Sequence, residues 1–146
     1  MAAQRSDLVE QISLLVTVNH AELAPLLVHT PALNPTFTGS SLTGGADADL
    51  IVDGCLIDLK STMKTNLDST EFMQIVTYAL LDVDDLHKIR RVSLWYLRRP
   101  QRLTWDLDDL LTKAGSKTTR SELSKSLVDA GEQLRSERSP DVEDQG

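Results

Sequence analysis

Residues 48–61 read A-D-L-I-V-D-G-C-L-I-D-L-K-S. An Asp-Gly pair between two runs of strand-forming apolar residues is a strong signal for a two-residue hairpin turn, because the favoured turn needs positive φ at both central residues. A turn at Asp53-Gly54 sets position 52 opposite 55, 51 opposite 56, 50 opposite 57 and 49 opposite 58. Directly opposed residues share one face of the sheet, with Cβ atoms about 5 Å apart. One face then carries Leu50, Val52, Cys55 and Ile57, followed by Leu59, and supplies a core. The other sets Asp49 against Asp58, with Lys60 two positions on and Asp47 opposite Lys60.

Two carboxylates facing each other repel, which costs stability in a sheet. Lys60 offsets part of that, and a divalent cation would offset more. Mg²⁺ or Mn²⁺ is held by one or two carboxylates together with water and substrate phosphate oxygens. The plainer reading is a solvated polar face with an Asp–Lys cross-strand pair. A calcium loop of the EF-hand kind is excluded, since Ile51 and Val52 stand where a third ligand and the turn glycine belong. A zinc site is excluded too, because His20, His29, His87 and Cys55 lack ligand spacing. Cys55, inside an apolar strand, reads as a small core residue.

Around the hairpin the chain is patterned as a mixed α/β domain. Residues 7–28 have apolar spacing for one or two short helices ending near Pro25. Residues 29–45, rich in Pro, Gly, Ser and Thr, read as a loop with room for a short strand. Residues 68–83 form a helix, capped by Asp68 or Ser69, with Glu71 in its first turn and Phe72, Ile75, Val76, Ala79 and Leu80 as its apolar face. Residues 90–98 make the next strand, ended by Pro100, and 102–107 a short partner strand. A short helix over 107–115 closes at Gly115, and 117–136 is a polar helix. The expected architecture is an α/β fold of αβββαβ order, with a mixed central sheet flanked by helices. Residues 1–136 form the single domain and 137–146 a disordered acidic tail.

With 146 residues, 40% of them apolar and 25% charged, the chain has enough material for one modest core. It holds no apolar run near the roughly 18 residues of a membrane span, and no apolar segment follows the basic start as a secretory signal requires. The single cysteine suits a reducing compartment, so the expectation is a cytoplasmic protein with no membrane partner. A net charge of −7 is the wrong sign overall for a nucleic-acid binder. Yet residues 87–105 hold Lys88, Arg90, Arg91, Arg98, Arg99 and Arg102 with no acid. Arg91, Arg98 and Arg99 are therefore candidates for a phosphate-contacting patch, the alternative being a solvated strand border. Trp95 and Trp105 read as core rather than as base-stacking platforms.

The pattern Asp49, then Asp58-Leu59-Lys60, then Gln74-Ile75-Val76-Thr77-Tyr78 resembles the PD-(D/E)XK nuclease superfamily, in particular its RecB-like branch. The resemblance covers about residues 10–105, and Gln74 and Tyr78 share one helical face at i, i+4. It implies a restriction-endonuclease-like core and metal-dependent hydrolysis of phosphodiester bonds. Asp49, Asp58 and the backbone carbonyl of Leu59 would hold Mg²⁺ or Mn²⁺. Lys60 would assist the attacking water, while Gln74 and Tyr78 orient the lysine or contact the nucleic-acid backbone. DNA is the first candidate substrate and RNA the second. Asp47 is the rival to Asp49. The family also places an acid on the helix before the hairpin, for which Glu22, beside His20, is the candidate and Glu10 the runner-up. If neither reaches the site, the fold serves as a module that binds nucleic acid, a protein partner or a second copy of itself.

Overall fold

A computed structural model of the chain describes residues 2–42, 48–64 and 66–137. The Asp53-Gly54 turn forms as the sequence requires, with φ of +49° and +68° at its two central residues. It joins β2 (Leu50–Val52) to β3 (Cys55–Lys60), pairing Leu50 with Ile57, Ile51 with Leu56 and Val52 with Cys55. A short strand β1 (Ala32–Leu33) lies on the outer edge of β2, in the segment expected to be mostly loop, and a 3₁₀ turn follows at Ser40–Leu42.

After β3 the chain crosses over through α2 (Ser69–Leu80) to β4 (Arg91–Tyr96), which lies parallel to β3. A parallel neighbour needs such a crossover, because the chain must return to the same end of the sheet. Asp68 caps α2, its side chain accepting from the Thr70 amide at 2.8 Å. The turn at 97–100 then returns β5 (Gln101–Asp106) antiparallel to β4, completing a five-stranded mixed sheet in the order β1-β2-β3-β4-β5. Two further helices follow, α3 (Leu107–Lys113), capped by Asp106, and α4 (Arg120–Glu137). The chain is thus an α/β domain. The expected acidic tail lies outside the described residues except for Glu137, the last residue of α4.

Both faces of the sheet are covered. On one, Ile51, Leu56, Val92, Leu94 and Tyr96 pack with Ile75, Val76 and Ala79 of α2, and Leu107, Leu110, Leu111 and Leu127 of the last two helices extend this core. On the other, Leu50, Val52, Cys55, Ile57 and Trp95 pack with Leu23 and Leu26 of α1 (Ala2–Leu27). This helix is single and longer than the one or two short helices expected, and it ends two residues past Pro25, near the expected end. A proline so near a helix end forfeits only one bond of a last turn that is already unravelling. The helix is fastened by Asn19, which is 1% exposed. Its amide donates to the Leu97 carbonyl at 2.9 Å, and its oxygen accepts from the Trp95 indole at 3.0 Å. Trp95 is accordingly core, while Trp105 stacks edge-on against Phe72. Burial pushes the Cys55 thiol up, which keeps it protonated and unreactive at neutral pH. Among the described residues no helix is long and apolar enough to cross a membrane.

Gly54 is where backbone conformation and space both restrict the residue type. A Cβ there would sit 2.8 Å from the Lys88 carbonyl oxygen, whereas one at Gly115, also at positive φ (+84°), meets nothing within 4 Å. Gly115→Ala should therefore cost only the left-handed backbone penalty, roughly 1–2 kcal/mol. Gly54→Ala should cost clearly more, read as a larger drop in the urea midpoint at unchanged slope. Equal losses would mean that the Lys88 carbonyl yields freely.

Candidate active site

The register of the hairpin places Asp49, Asp58 and Lys60 on the face covered by α2, continuing the line of Ile51 and Leu56 toward the carboxyl end of β3. Asp58 is 7% exposed, because β3 is an interior strand with α2 packed above it. Its Oδ2 lies 2.5 Å from Lys60 Nζ. The ammonium is a close, charge-assisted partner of this buried oxygen. Asp49 faces the next peptide along, its Oδ2 accepting from the Leu59 amide at 2.6 Å. Backbone groups of successive strand residues point to alternate sides. Lys60 turns its carbonyl toward β4, where it accepts from the Leu97 amide at 2.9 Å. The amide and carbonyl of Leu59 therefore both open toward Asp49.

The α2 helix supplies the rest. Gln74 Oε1 accepts from Lys60 Nζ at 3.3 Å, and Gln74 Nε2 donates to the Tyr78 hydroxyl at 2.8 Å. This amide orientation is the one that works, since an ammonium has no acceptor to offer the nitrogen. Five of the residues expected at a site thus come together on one face, as the line Asp58–Lys60–Gln74–Tyr78 with Asp49 at its side. Asp47 lies outside the described residues.

Other candidates are dispersed. Glu22 and Glu10 are exposed on α1, the helix that covers the opposite face of the sheet. Among the described residues, no three Asp, Glu, His or Cys side chains gather as a metal-holding group, so neither glutamate joins Asp49 and Asp58. Arg98 and Arg99 stand beyond the carboxyl end of β4, two and three residues past Tyr96, the register partner of Lys60. Arg98 Nε donates to the Ser61 carbonyl at 2.8 Å. The Arg99 guanidinium lies over the Tyr96 ring, 5.7 Å from its centroid, and donates to the Lys64 carbonyl, leaving Nε buried without a partner. Arg91 begins β4 at the far end and donates to the Asp53 carbonyl at 3.1 Å. It is opposite Cys55 where Tyr96 is opposite Lys60. Five residues of strand, about 16 Å, therefore separate it from the lysine.

Glu71 is the site neighbour that sequence reasoning took only for a first-turn helix residue. Its carboxylate accepts from the Tyr96 hydroxyl at 3.1 Å, and Tyr96 is the register partner of Lys60. The signal was the spacing of Glu71, Gln74 and Tyr78 at i, i+3 and i+7, which sets all three on one stripe of α2. Burial, with help from Glu71, raises the Tyr96 phenol.

Comparison with protein families, curated proteins and solved structures finds no match to this chain. What the site can do follows from its own chemistry.

Burial drives the Asp58 carboxyl above its ordinary value of 3.8, Lys60 pulls it back, and the negative charge of Asp49 adds to the rise. The folded chain therefore binds this proton more tightly than the unfolded chain. The stabilising contribution is complete below the ordinary value and is lost as pH rises through the raised one. In a metal-chelating buffer, the stability of wild type relative to Asp58→Asn should fall as pH climbs through and above the carboxylate range, then level off. Urea denaturation at a series of pH values reads this, and a pH-independent difference would show that Asp58 is not held against burial.

Proposed function

We propose that this chain is a metal-dependent nuclease of the PD-(D/E)XK kind, with a restriction-endonuclease-like core, hydrolysing phosphodiester bonds of nucleic acid. The carrying observation is a buried carboxylate, Asp58, beside a second carboxylate and in close contact with a lysine held by a Gln–Tyr pair. Neighbouring carboxylates repel, and a bound divalent ion relieves that repulsion. Asp49, Asp58 and the carbonyl of Leu59 would hold Mg²⁺ or Mn²⁺, a donor set that suits a hard cation completing its shell with water and phosphate. The bound metal supplies charge neutralisation at the phosphate and an acidified water.

The chain's own residues account for the remaining roles. Asp58 holds Lys60 close, and Gln74 limits its swing, so the ammonium is positioned before substrate arrives rather than ordered by it. That cation stabilises negative charge on the phosphate and assists the attacking water. Tyr78 fixes Gln74 by accepting from its amide, which leaves the phenolic hydrogen free to donate to a backbone phosphate. Arg98 and Arg99, beyond the carboxyl end of β4, extend the positive ground for the polynucleotide. DNA is preferred to RNA as substrate, and the reduced Cys55 thiol suits a cytoplasmic setting.

A second reading has its own observation. The site has two carboxylates and lacks a third among the described residues, with Glu22 and Glu10 on the helix across the sheet. On this reading the fold binds nucleic acid or a protein partner without cleaving.

Titration with Mn²⁺ by calorimetry, alongside cleavage assays on single- and double-stranded DNA and RNA, separates the two. Wild type should bind metal and cleave. Lys60→Ala should still bind metal, at equal or higher affinity because a competing cation is gone, and should not cleave. Nucleic-acid binding by wild type with no cleavage in Mg²⁺ or Mn²⁺ would establish the binding module instead. Charge reversal at Arg98 and Arg99 should weaken binding and flatten its salt dependence, by about 0.9 in the log–log slope for each phosphate no longer neutralised. An unchanged slope would remove these two residues from the interface.

A further inference from the structure

The two edges of the sheet differ. The β1 edge is only two residues long, whereas β5 presents six residues, with Arg102, Thr104 and Asp106 exposed. The Leu107 amide donates to the Arg90 carbonyl at 2.9 Å, continuing the β4–β5 ladder by one residue. Backbone groups alternate along an antiparallel pair, so Leu103 and Trp105 bond to β4. Arg102 and Thr104 then turn their amides and carbonyls off the sheet, and Asp106 does the same with its amide. Such a row is a template for another strand.

The side chains of this edge select the strand. Arg102 leans over its register partner Trp95, 5.9 Å from the ring centroid, but makes no hydrogen bond and meets no acid at ion-pair distance among the described residues. Asp106 uses one oxygen to cap α3, accepting from the Asp109 amide at 3.0 Å, and meets no cation at ion-pair distance among the described residues. The two lie on one face of β5, four residues or about 13 Å apart, too far to pair within the strand. A row of one sign would guard this edge against a copy of itself. Here the signs are opposite and symmetric about Thr104. A second β5 laid antiparallel, Thr104 against Thr104, sets Arg102 against Asp106 of the other copy at both ends. The other face then sets Leu103 against Trp105 twice, each half-buried and already packed on the main core. Directly opposed side chains, with Cβ atoms about 5 Å apart, are close enough for both kinds of pair to form. Slipping the register by two residues leaves the charges unmatched.

We propose that the chain forms a two-fold symmetric dimer by antiparallel pairing of β5 with β5 of a second copy, joining two five-stranded sheets into one. The test is sedimentation equilibrium of the full chain over a concentration series at fixed salt, with circular dichroism to show that each variant is folded. Wild type should pass from monomer to dimer and no further, because pairing uses up the edge. Thr104→Pro removes an outward amide at the centre of the interface, a change that edge strands tolerate, and should weaken the dimer at least about tenfold. Arg102→Asp alone and Asp106→Arg alone should each do the same, since equal charges then face each other twice. Mixed together, these two charge variants should dimerise with each other, because each restores the pairs the other lacks. Lys125→Glu, which changes an exposed α4 charge away from β5, should leave the dimer unchanged. Should Asp106→Arg fail to fold for want of the α3 cap, Thr104→Pro and Arg102→Asp decide the matter. A wild type that stays monomeric throughout would overturn the proposal, as would two folded charge variants that remain monomeric when mixed. So would a dimer indifferent to Thr104→Pro and Arg102→Asp, which would be held elsewhere, for instance by the exposed Ile12, Leu14 and Val16 of α1.

Discussion

The Asp53-Gly54 turn sets the geometry on which the other contacts depend. Side chains alternate with a period of two along a strand, so slipping the hairpin by one residue would exchange its two faces. Asp58 would then point into the cluster of Leu50, Ile57 and Trp95, and α2 would find no lysine to meet Gln74. The turn also reaches beyond its own hairpin. The Gly54 carbonyl accepts from the amides of Arg90 and Arg91, at 2.8 and 3.1 Å, just where β4 begins. Hairpin register and parallel-pair register are therefore fixed at one place. That is why Lys60 ends level with Tyr96 and, through it, with Glu71.

A parallel β3-α2-β4 unit has two chemically different ends. Ligands of open α/β sheets gather outside the carboxyl ends of the strands. Here that end carries Asp58, Lys60 and the α2 side chains, with Arg98 and Arg99 nearby. The opposite end, where α2 stops and β4 starts, collects Asp82, Asp85 and Asp108 around Arg90 and Arg120. The net charge of −7 conceals this division.

The pair of Asp58 and Lys60 is only partly compensated. Burial penalises the carboxylate, Asp49 adds repulsion, and the lysine offsets only part of both. Groups so arranged contribute little to folding, since removing charges from water costs about what their attraction returns. Perturbed and under-satisfied ionisable groups on one face are characteristic of functional sites. The Asn19–Trp95 pair is the contrast, a buried polar contact in which donor and acceptor match and whose effect is to hold α1 to the sheet.

Much of this was legible in the sequence because it depends on local rules. The Asp-Gly turn, the sidedness of Asp49, Asp58 and Lys60, the cap at Asp68, and the shared face of Gln74 and Tyr78 follow from strand period, helix period and turn chemistry. One local expectation needed adjusting. The first helix is one long helix from Ala2 rather than one or two short ones, while the short strand for which the loop before the hairpin had room forms by pairing with β2. The remaining features required distant segments to meet. No spacing rule connects Asn19 with Trp95 or Glu71 with Tyr96. Nor could sequence decide whether Glu22 faces the carboxylates, because that turns on which side of the sheet α1 packs. The sequence alone determined which residues share a face within each element, since periodicity is local. The tertiary structure decided which faces meet, and hence which charges are buried, paired or left open, since desolvation depends on what packs above a residue.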